Sequence, residues 1–250
     1  MMSKTVCSVV VALVAISEIA LGAEIKLYST IATKSVVEDL APKFEKASGH
    51  KVVVSFANMT GIVKRVRDGE VPDVVIGNRD GMDVLSKDGK LQAGSLIPLA
   101  NSGLSVAVRK GASKPDIATP EAFKRTLLAA KSITYNNPKD GGASGAHIAK
   151  VIERLGIAKE LQQKTVYAGN ESGALVATGK AELGMTQTSS LVGVAGIDVV
   201  GPFPGDLQAT TQYAVAIGAG TKNAGAKALI DFLRSAESAK TIKAKGLDPL

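Results

Sequence analysis

Gly69-Glu70-Val71-Pro72-Asp73-Val74-Val75-Ile76-Gly77-Asn78-Arg79 is the stretch on which the fold turns. Pro72 and Asp73 punctuate the chain, and Val74-Val75-Ile76 follows as an unbroken β-branched run. Alternate side chains of a strand point to opposite faces, so a strand that is apolar at every position is covered on both. Upstream the same grammar repeats. Residues 25–28 alternate like a strand, and a helix over 34–46 follows with Val36, Val37, Leu40 and Phe44 on one face. Ser35 and Glu38 are spaced as a capping box, and Gly49 stops that helix. A strand over 51–56 comes next, then a short helix over 61–67 for which Thr60 is the expected cap. Strands alternating with helices across short loops imply parallel sheets with right-handed crossovers.

The middle of the chain is built alike. A strand over 104–108 precedes Thr119-Pro120-Glu121, a helix start with Pro at its first position. A strand over 132–135 runs into a glycine-rich loop, and Ile148, Val151, Ile152 and Leu155 then form a helical stripe. Strands over 165–167, 183–186 and 197–200 follow, with a helix over 174–178, and beyond residue 210 come a strand over 213–217 and a helix carrying Ala228, Leu229, Phe232 and Leu233. No linker separates two sequential domains. The expected fold is therefore α/β with two lobes, each a mainly parallel sheet flanked by helices, joined by a two-segment hinge. Residues 24–103 plus 211–250 form lobe one, and residues 104–210 form lobe two.

Three loops carry small hydroxyl residues between a strand and a helix start: Ser29-Thr30-Ile31, Asn58-Met59-Thr60-Gly61 and Gly141-Gly142-Ala143-Ser144-Gly145. A helix N-terminus presents unpaired N–H groups and the positive end of the macrodipole. Ligands of such sheets bind outside the carboxyl ends of the strands, where these loops fall. Capture of a small anion by neutral donors is the chemistry this pattern suggests. Each hydroxyl also suits an ordinary helix cap.

Composition narrows the rest. Lys4, an apolar run over 6–16 and small residues Ala20, Gly22 and Ala23 have the layout of a secretory leader, expected over residues 1–23. Export to the periplasm follows from that reading. Cys7 is the chain's one cysteine and falls in the leader, so disulfides, thiol catalysis and thiolate metal sites are not expected in the mature protein. Only His50 and His147 supply imidazoles, and no metal or other cofactor is expected. The net charge of +7 comes from dispersed lysines without a basic block, with four Tyr, five Phe and no Trp, which argues against nucleic acid as a partner. Lys64, Arg65 and Arg67 read as a solvated helix face.

With these elements in order, the chain resembles the type II periplasmic solute-binding proteins, specifically the molybdate-binding branch. The resemblance covers nearly all of the mature sequence. It is carried by Phe44-Glu45-Lys46 with 51–56, by Met59-Thr60-Gly61 opening a helix, by Gly69 through Ile76, by Gly145, and by Gly179-Lys180-Ala181-Glu182-Leu183-Gly184. The resemblance implies that Ser29 and Thr60 donate from one lobe and Ser144 and Gly145 from the other, with Thr30, Asn58 and Met59 in the same loops. It implies a monomer that hands a small anion to the membrane permease of an ABC importer.

Two departures bear on the ligand. Where the family carries a tyrosine donor, this chain has Gln187; and Asn78-Arg79 stands directly at a strand end where the family carries small residues. An arginine there suits a carboxylate through two parallel N–H···O bonds. An organic di- or tricarboxylate is therefore the favoured ligand, and a molybdate- or tungstate-type oxyanion the alternative. His147, in the first turn of a helix beside the third loop, is a further candidate donor, against a solvent-facing reading. Asn58 and Asn78 also suit turn backbone. A serine hydrolase is the remote alternative. Gly142-Ala143-Ser144-Gly145-Ala146 lacks the last glycine of a nucleophile elbow, and Gly173 through Lys180 is one residue too long for a phosphate loop and has Ala181 after the lysine. No catalytic residue is assigned.

Overall fold

The computed structural model describes residues 22–140, 142–169 and 171–250. The expected leader therefore lies outside the described residues but for its last two, and so does Gly141 of the third loop. The first stretch runs β1 (Glu24–Thr30), a 3-10 turn (Ile31–Thr33), α1 (Lys34–Ser48), β2 (Lys51–Ala57), α2 (Met59–Arg67), β3 (Val74–Asn78), α3 (Arg79–Lys87) and β4 (Ile97–Ser102). The middle stretch holds β5 (Leu104–Arg109), α4 (Pro120–Ala129), β6 (Ile133–Asn136), α5 (Ala143–Arg154), α6 (Ala158–Gln162), β7 (Thr165–Ala168), α7 (Ser172–Ala177), β8 (Leu183–Gln187), α8 (Thr188–Leu191) and β9 (Ile197–Pro202). The chain ends with β10 (Thr211–Ile217), α9 (Gly225–Leu233), α10 (Ala236–Ala244) and β11 (Asp248–Pro249).

Two sheets result. The first has the order β11-β4-β10-β3-β1-β2 and the second β7-β6-β8-β5-β9. Strand β1 is parallel to β2 and β3, and β6 is parallel to β7 and β8. The sheets are nevertheless mixed rather than mainly parallel. Strand β10 runs antiparallel to β3 and β4, and β5 runs antiparallel to β8 and β9. The reason is geometric. β4 ends at Ser102, and after Gly103 the chain enters β5 at Leu104, which pairs with Gln187 at the carboxyl end of β8. On the return, Thr211 begins β10 opposite Ser102. A chain that crosses between sheets at their carboxyl ends has to run backwards along each sheet it enters.

The apolar strand at 74–76 is central, as its composition requires. Val74 and Ile76 pack with Leu27, Leu40, Val215 and Leu229 on one face, while Val75 packs with Ile62, Met82, Leu85 and Ala214 on the other. The second sheet is covered likewise. Phe123, Leu127, Ile148 and Ile152 meet Val106, Ile133 and Leu183 on one face, and Ala107 meets Val176, Leu191 and Ile197 on the other.

Helix starts differ from the expectation in two places. Thr60 is the second residue of α2 rather than its cap; Asn58 caps that helix, its Oδ1 accepting from Gly61 N at 2.7 Å. The Ser35–Glu38 capping box does not form, because a 3-10 turn precedes α1 and makes Thr33 its cap residue without a side-chain bond. Thr119 does cap α4, accepting from Ala122 N at 3.1 Å, with Pro120 at the first position.

One ion-pair cluster pins the turn that leads into β3. Arg65 donates to both Glu70 oxygens, at 2.9 and 2.6 Å, and to Ser55 Oγ at 2.7 Å, while its guanidinium lies 4.2 Å from the centroid of the Tyr28 ring. The Tyr28 hydroxyl donates to Glu70 as well. Hydrogen bonds from Arg65 first, then from Tyr28, pull the Glu70 carboxyl down to about 2. A carboxylate with a depressed folded-state value contributes stability above its ordinary value of 4.5 and loses it as pH falls through about 2. The melting midpoints of the native chain and Glu70→Gln are therefore expected to differ by a constant amount from pH 7 down to about pH 5, and to converge toward pH 2. A gap that persists undiminished at pH 2 contradicts this.

Candidate functional site

Three helices of nine to twelve residues, α2, α3 and α5, start at one place between the two sheets. The first two begin alike. Asn58 and Asn78 are extended residues at strand ends, and each turns its Oδ1 back on its helix, to Gly61 N at 2.7 Å and Gly81 N at 3.1 Å. Glycine at 77 and 81 makes room for Met59, since a Cβ at Gly81 would stand 2.2 Å from Met59 Cγ. Helix α5 is set by a similar close approach. A Cβ at Gly145 would lie 2.3 Å from the Asn136 carbonyl oxygen, so only glycine lets the start of α5 sit against the end of β6.

These starts surround a cavity of about 80 Å³. From the first sheet and its helices come Thr30, Ile31, Ala32, Asn58, Met59, Asn78 and Tyr213; from the second come Asn136, Gly142, Ala143, Ser144, Thr186, Gln187 and Ser190. Asn58 Nδ2 also reaches across to the Asp140 carbonyl, at 3.2 Å. Among the described residues, no Lys, Arg, His, Asp or Glu side chain lines this space. Its polarity comes from hydroxyls, amides and helix starts, which attract negative charge without carrying any. Liquid water occupies about 30 Å³ per molecule, so the cavity accepts one compact group rather than a whole tricarboxylate.

Ile31 and Ser190 also belong to the wall of a neighbouring groove of about 950 Å³. Lys34, Ser35, Glu38, Asp39, Phe56, Glu171 and Lys245 line it. Lys34 stands 3.6 Å from Glu38, while Asp39 is shared by Lys43 at 2.7 Å and Lys245 at 3.2 Å and is held below the usual carboxylate range by hydrogen bonds from both. Ser35 Oγ is buried without a hydrogen-bond partner among the described residues.

The residues expected from the sequence divide sharply. Thr30, Asn58, Met59, Ser144 and Gln187 are brought together on the cavity wall. Ser29 lies beneath it, wholly buried, its hydroxyl 2.8 Å from Thr33 Oγ1. Gly145 supports the wall from behind. Thr60 is off the cavity wall, in a second outer groove with Lys64 and Arg67 that shares Met59, Asn78, Gly142 and Ala143 with the cavity. His147 neither faces solvent freely nor reaches the cavity, because its Nε2 is 2.9 Å from the Leu207 carbonyl. Arg79, expected to clamp a carboxylate, is the first residue of α3, and its Nε donates to Asp83 one turn on, at 2.8 Å. It does not line the cavity.

Gln187 has a role of its own. With Nε2 toward the carbonyls of Ser102 (3.0 Å) and Gly103 (3.1 Å), it donates to both chain segments of the outward crossing and accepts from the Thr211 hydroxyl (2.8 Å) on the return. Its amide is spent on the two crossings. Sequence reasoning passed over Asn136, Thr186, Ser190 and Tyr213. Asn136 accepts from Thr186 Oγ1 at 3.0 Å, and Tyr213 enters only because β10 doubles back beside β3. For Asn136 and Thr186 the available signal was positional: each follows the last apolar residue of a strand.

A family model for bacterial extracellular solute-binding proteins matches residues 25–248. The chain belongs to that family. An aconitate isomerase from a Pseudomonas species is 35% identical to this solute-binding protein over 222 residues, 86% of this chain and 83% of that protein. A molybdate-binding protein from Azotobacter vinelandii is 31% identical over 235 residues, 90% of both chains. The solved periplasmic molybdate-binding protein of the same organism superposes with a TM-score of 0.72 at 22% identity, covering 89% of this chain and 98% of that one. The chain thus falls in the type II periplasmic-binding-protein, molybdate-binding-like branch of that family, as the motifs implied.

Two substitutions test the geometry. Arg79→Ala is expected to leave anion affinity within about twofold, since its charge is satisfied locally on an exposed helix face; a loss of a hundredfold by calorimetric titration restores the clamp. Gln187→Ala is expected to cost about 1–3 kcal/mol in urea unfolding, because buried carbonyls at the crossing lose their donor. Unchanged stability contradicts the tie.

Proposed function

We propose that this solute-binding protein captures a small organic acid, seating one carboxylate in the neutral cavity and the rest of the molecule in the adjoining groove, and passes it to a membrane permease. The observation that carries this is the junction at Ile31 and Ser190, where a space for one compact group opens onto a larger groove bearing Lys34 and Lys245 among Glu38, Asp39 and Glu171. A neutral site for one carboxylate beside a larger polar groove suits an acid with two or three carboxylates, whose outer groups would compete with Glu38 and Asp39 for Lys34 and Lys245. The similarity to an aconitate isomerase, a protein named for a tricarboxylate, supports the same class. In this reading residues 24–103 with 211–250 and residues 104–210 act as two lobes, the leader directs export, and the ligand favours closure by touching both.

A molybdate-type oxyanion that fills the cavity alone is the second reading. The absence of charged side chains on the wall among the described residues favours it, as does the molybdate-binding relative. Turnover has less support. An isomerase needs one group to take a proton from carbon and one to return it. Tyr213 is the single titratable side chain on the wall among the described residues, and its burial holds the hydroxyl protonated.

A thermal-shift panel decides between these. A native-state binder present at a hundred times its Kd stabilises by about 2.7 kcal/mol. Citrate, cis-aconitate and trans-aconitate are expected to raise the midpoint while molybdate and tungstate leave it unmoved, and Lys34→Ala is expected to weaken the tricarboxylates severalfold. Shifts from the oxyanions alone establish the second reading. Conversion of cis- to trans-aconitate by the purified protein establishes an enzyme instead.

A further inference from the structure

Tyr213 is the most deeply buried polar side chain on the cavity wall whose functional group has nothing to bond. It stands in β10, in the middle of the first sheet, opposite Asn78 of β3 and Ala100 of β4. Its ring is 3% exposed and belongs to the core formed with Leu27, Ile76 and Val215. The same residue forms part of the cavity wall. The hydroxyl is its one polar side-chain atom and makes no hydrogen bond among the described residues. The hydroxyl is not one of the fully buried unpartnered atoms among the described residues; it belongs to the cavity wall, and the core beneath has no need of it where phenylalanine would pack as well. Burial alone, with no neighbouring charge, pushes the group well above the usual phenol range, so it keeps its proton and acts as a donor.

The other donors on the wall are largely committed. The Thr30 hydroxyl is paired with Thr33, those of Thr186 and Ser144 lie against Asn136 Oδ1, Asn58 donates to the Asp140 carbonyl, and Gln187 holds the crossings. Ser190 and, beside Tyr213, Asn78 are the exceptions. The Asn78 Oδ1 is taken by Gly81 N, which leaves the amide nitrogen available. Directly opposed residues of an antiparallel pair share a face, so Tyr213 and Asn78 project from the same side of the sheet, and both line the cavity.

We propose that the Tyr213 hydroxyl, with the Asn78 amide beside it, donates to the bound anion and determines which anions the cavity retains. This deepens the anion-binding reading above and rests on it. Two donors on this face favour ligands that present an ionised oxygen there over those that present a neutral hydroxyl, because a hydrogen bond to a charged acceptor is the stronger. Because the hydroxyl serves the ligand and not the fold, affinity and stability part company when it is removed.

The test is calorimetric titration of cis-aconitate, citrate and molybdate into the native chain and into Tyr213→Phe, with melting midpoints of both in the absence of anion. Tyr213→Phe is expected to weaken whichever of these the native chain binds by about tenfold to a hundredfold, the loss of one hydrogen bond to a charged acceptor. Its anion-free midpoint is expected to be equal or higher. Asn78→Asp keeps the cap acceptor of α3 but removes the donor and adds negative charge; it is expected to abolish binding with the fold intact. Equal affinity in Tyr213→Phe overturns the inference and leaves the anion-binding reading standing. A midpoint several degrees lower shows a structural hydroxyl and also overturns it. If the native chain binds none of the three, the reading falls and the inference with it.

Discussion

Both crossings between the sheets are made at the carboxyl ends of the strands, and nearly everything else about this protein follows from that constraint. Ser102-Gly103 leads outward and Thr211 begins the way back, side by side in register. Entering a sheet at its carboxyl edge makes β5 and β10 antiparallel to their neighbours. It also sets the carboxyl ends of the parallel strands of one sheet facing those of the other, so that the helices following β2, β3 and β6 start at the same place. Helix starts carry partial positive charge. A pocket framed by helix starts, with no charged side chain on its wall among the described residues, is thereby built into the chain's path before any particular residue is chosen.

Residue choice then refines that site. Gln187 ties both crossings with one amide, and glycine at 145 lets α5 start against the end of β6. Asparagine at 58 and 78 caps two helices with the same side-chain geometry, and both residues line the cavity. Lys34 and Lys245 stand in the groove outside, paired with Glu38 and Asp39 and screened by water.

Much of this was legible in the sequence because it is local. The run at 74–76 announced a strand covered on both faces, and Thr119-Pro120 announced a helix start; both depend on neighbours a few residues away. The antiparallel course of β5 and β10 was not legible, since strand direction depends on which end of a sheet the chain enters and no residue pattern encodes it. Thr60 was expected to cap α2 because threonine is a good cap, yet Asn58 stands where the strand ends and takes the role. Arg79 was misplaced for a related reason. Its position at a strand end is real, but α3 begins at that residue and supplies Asp83 one turn away, a partner visible only once the helix is recognised. Tyr213 was invisible because its place on the wall comes from a strand that returns from the other sheet. Contacts assembled by topology are the ones that local reading loses.

The most direct test of a neutral, helix-framed anion site is a crystal structure of the protein grown with the anion that binds best. The account predicts one anionic group in the cavity between the sheets, its oxygens at hydrogen-bonding distance, about 2.7–3.2 Å, from main-chain N–H groups in the first turns of α2 and α5 and from the Tyr213 hydroxyl. An anion held instead by the Arg79 guanidinium, or lying wholly in the outer groove on Lys34 and Lys245 with the cavity left to water, contradicts it.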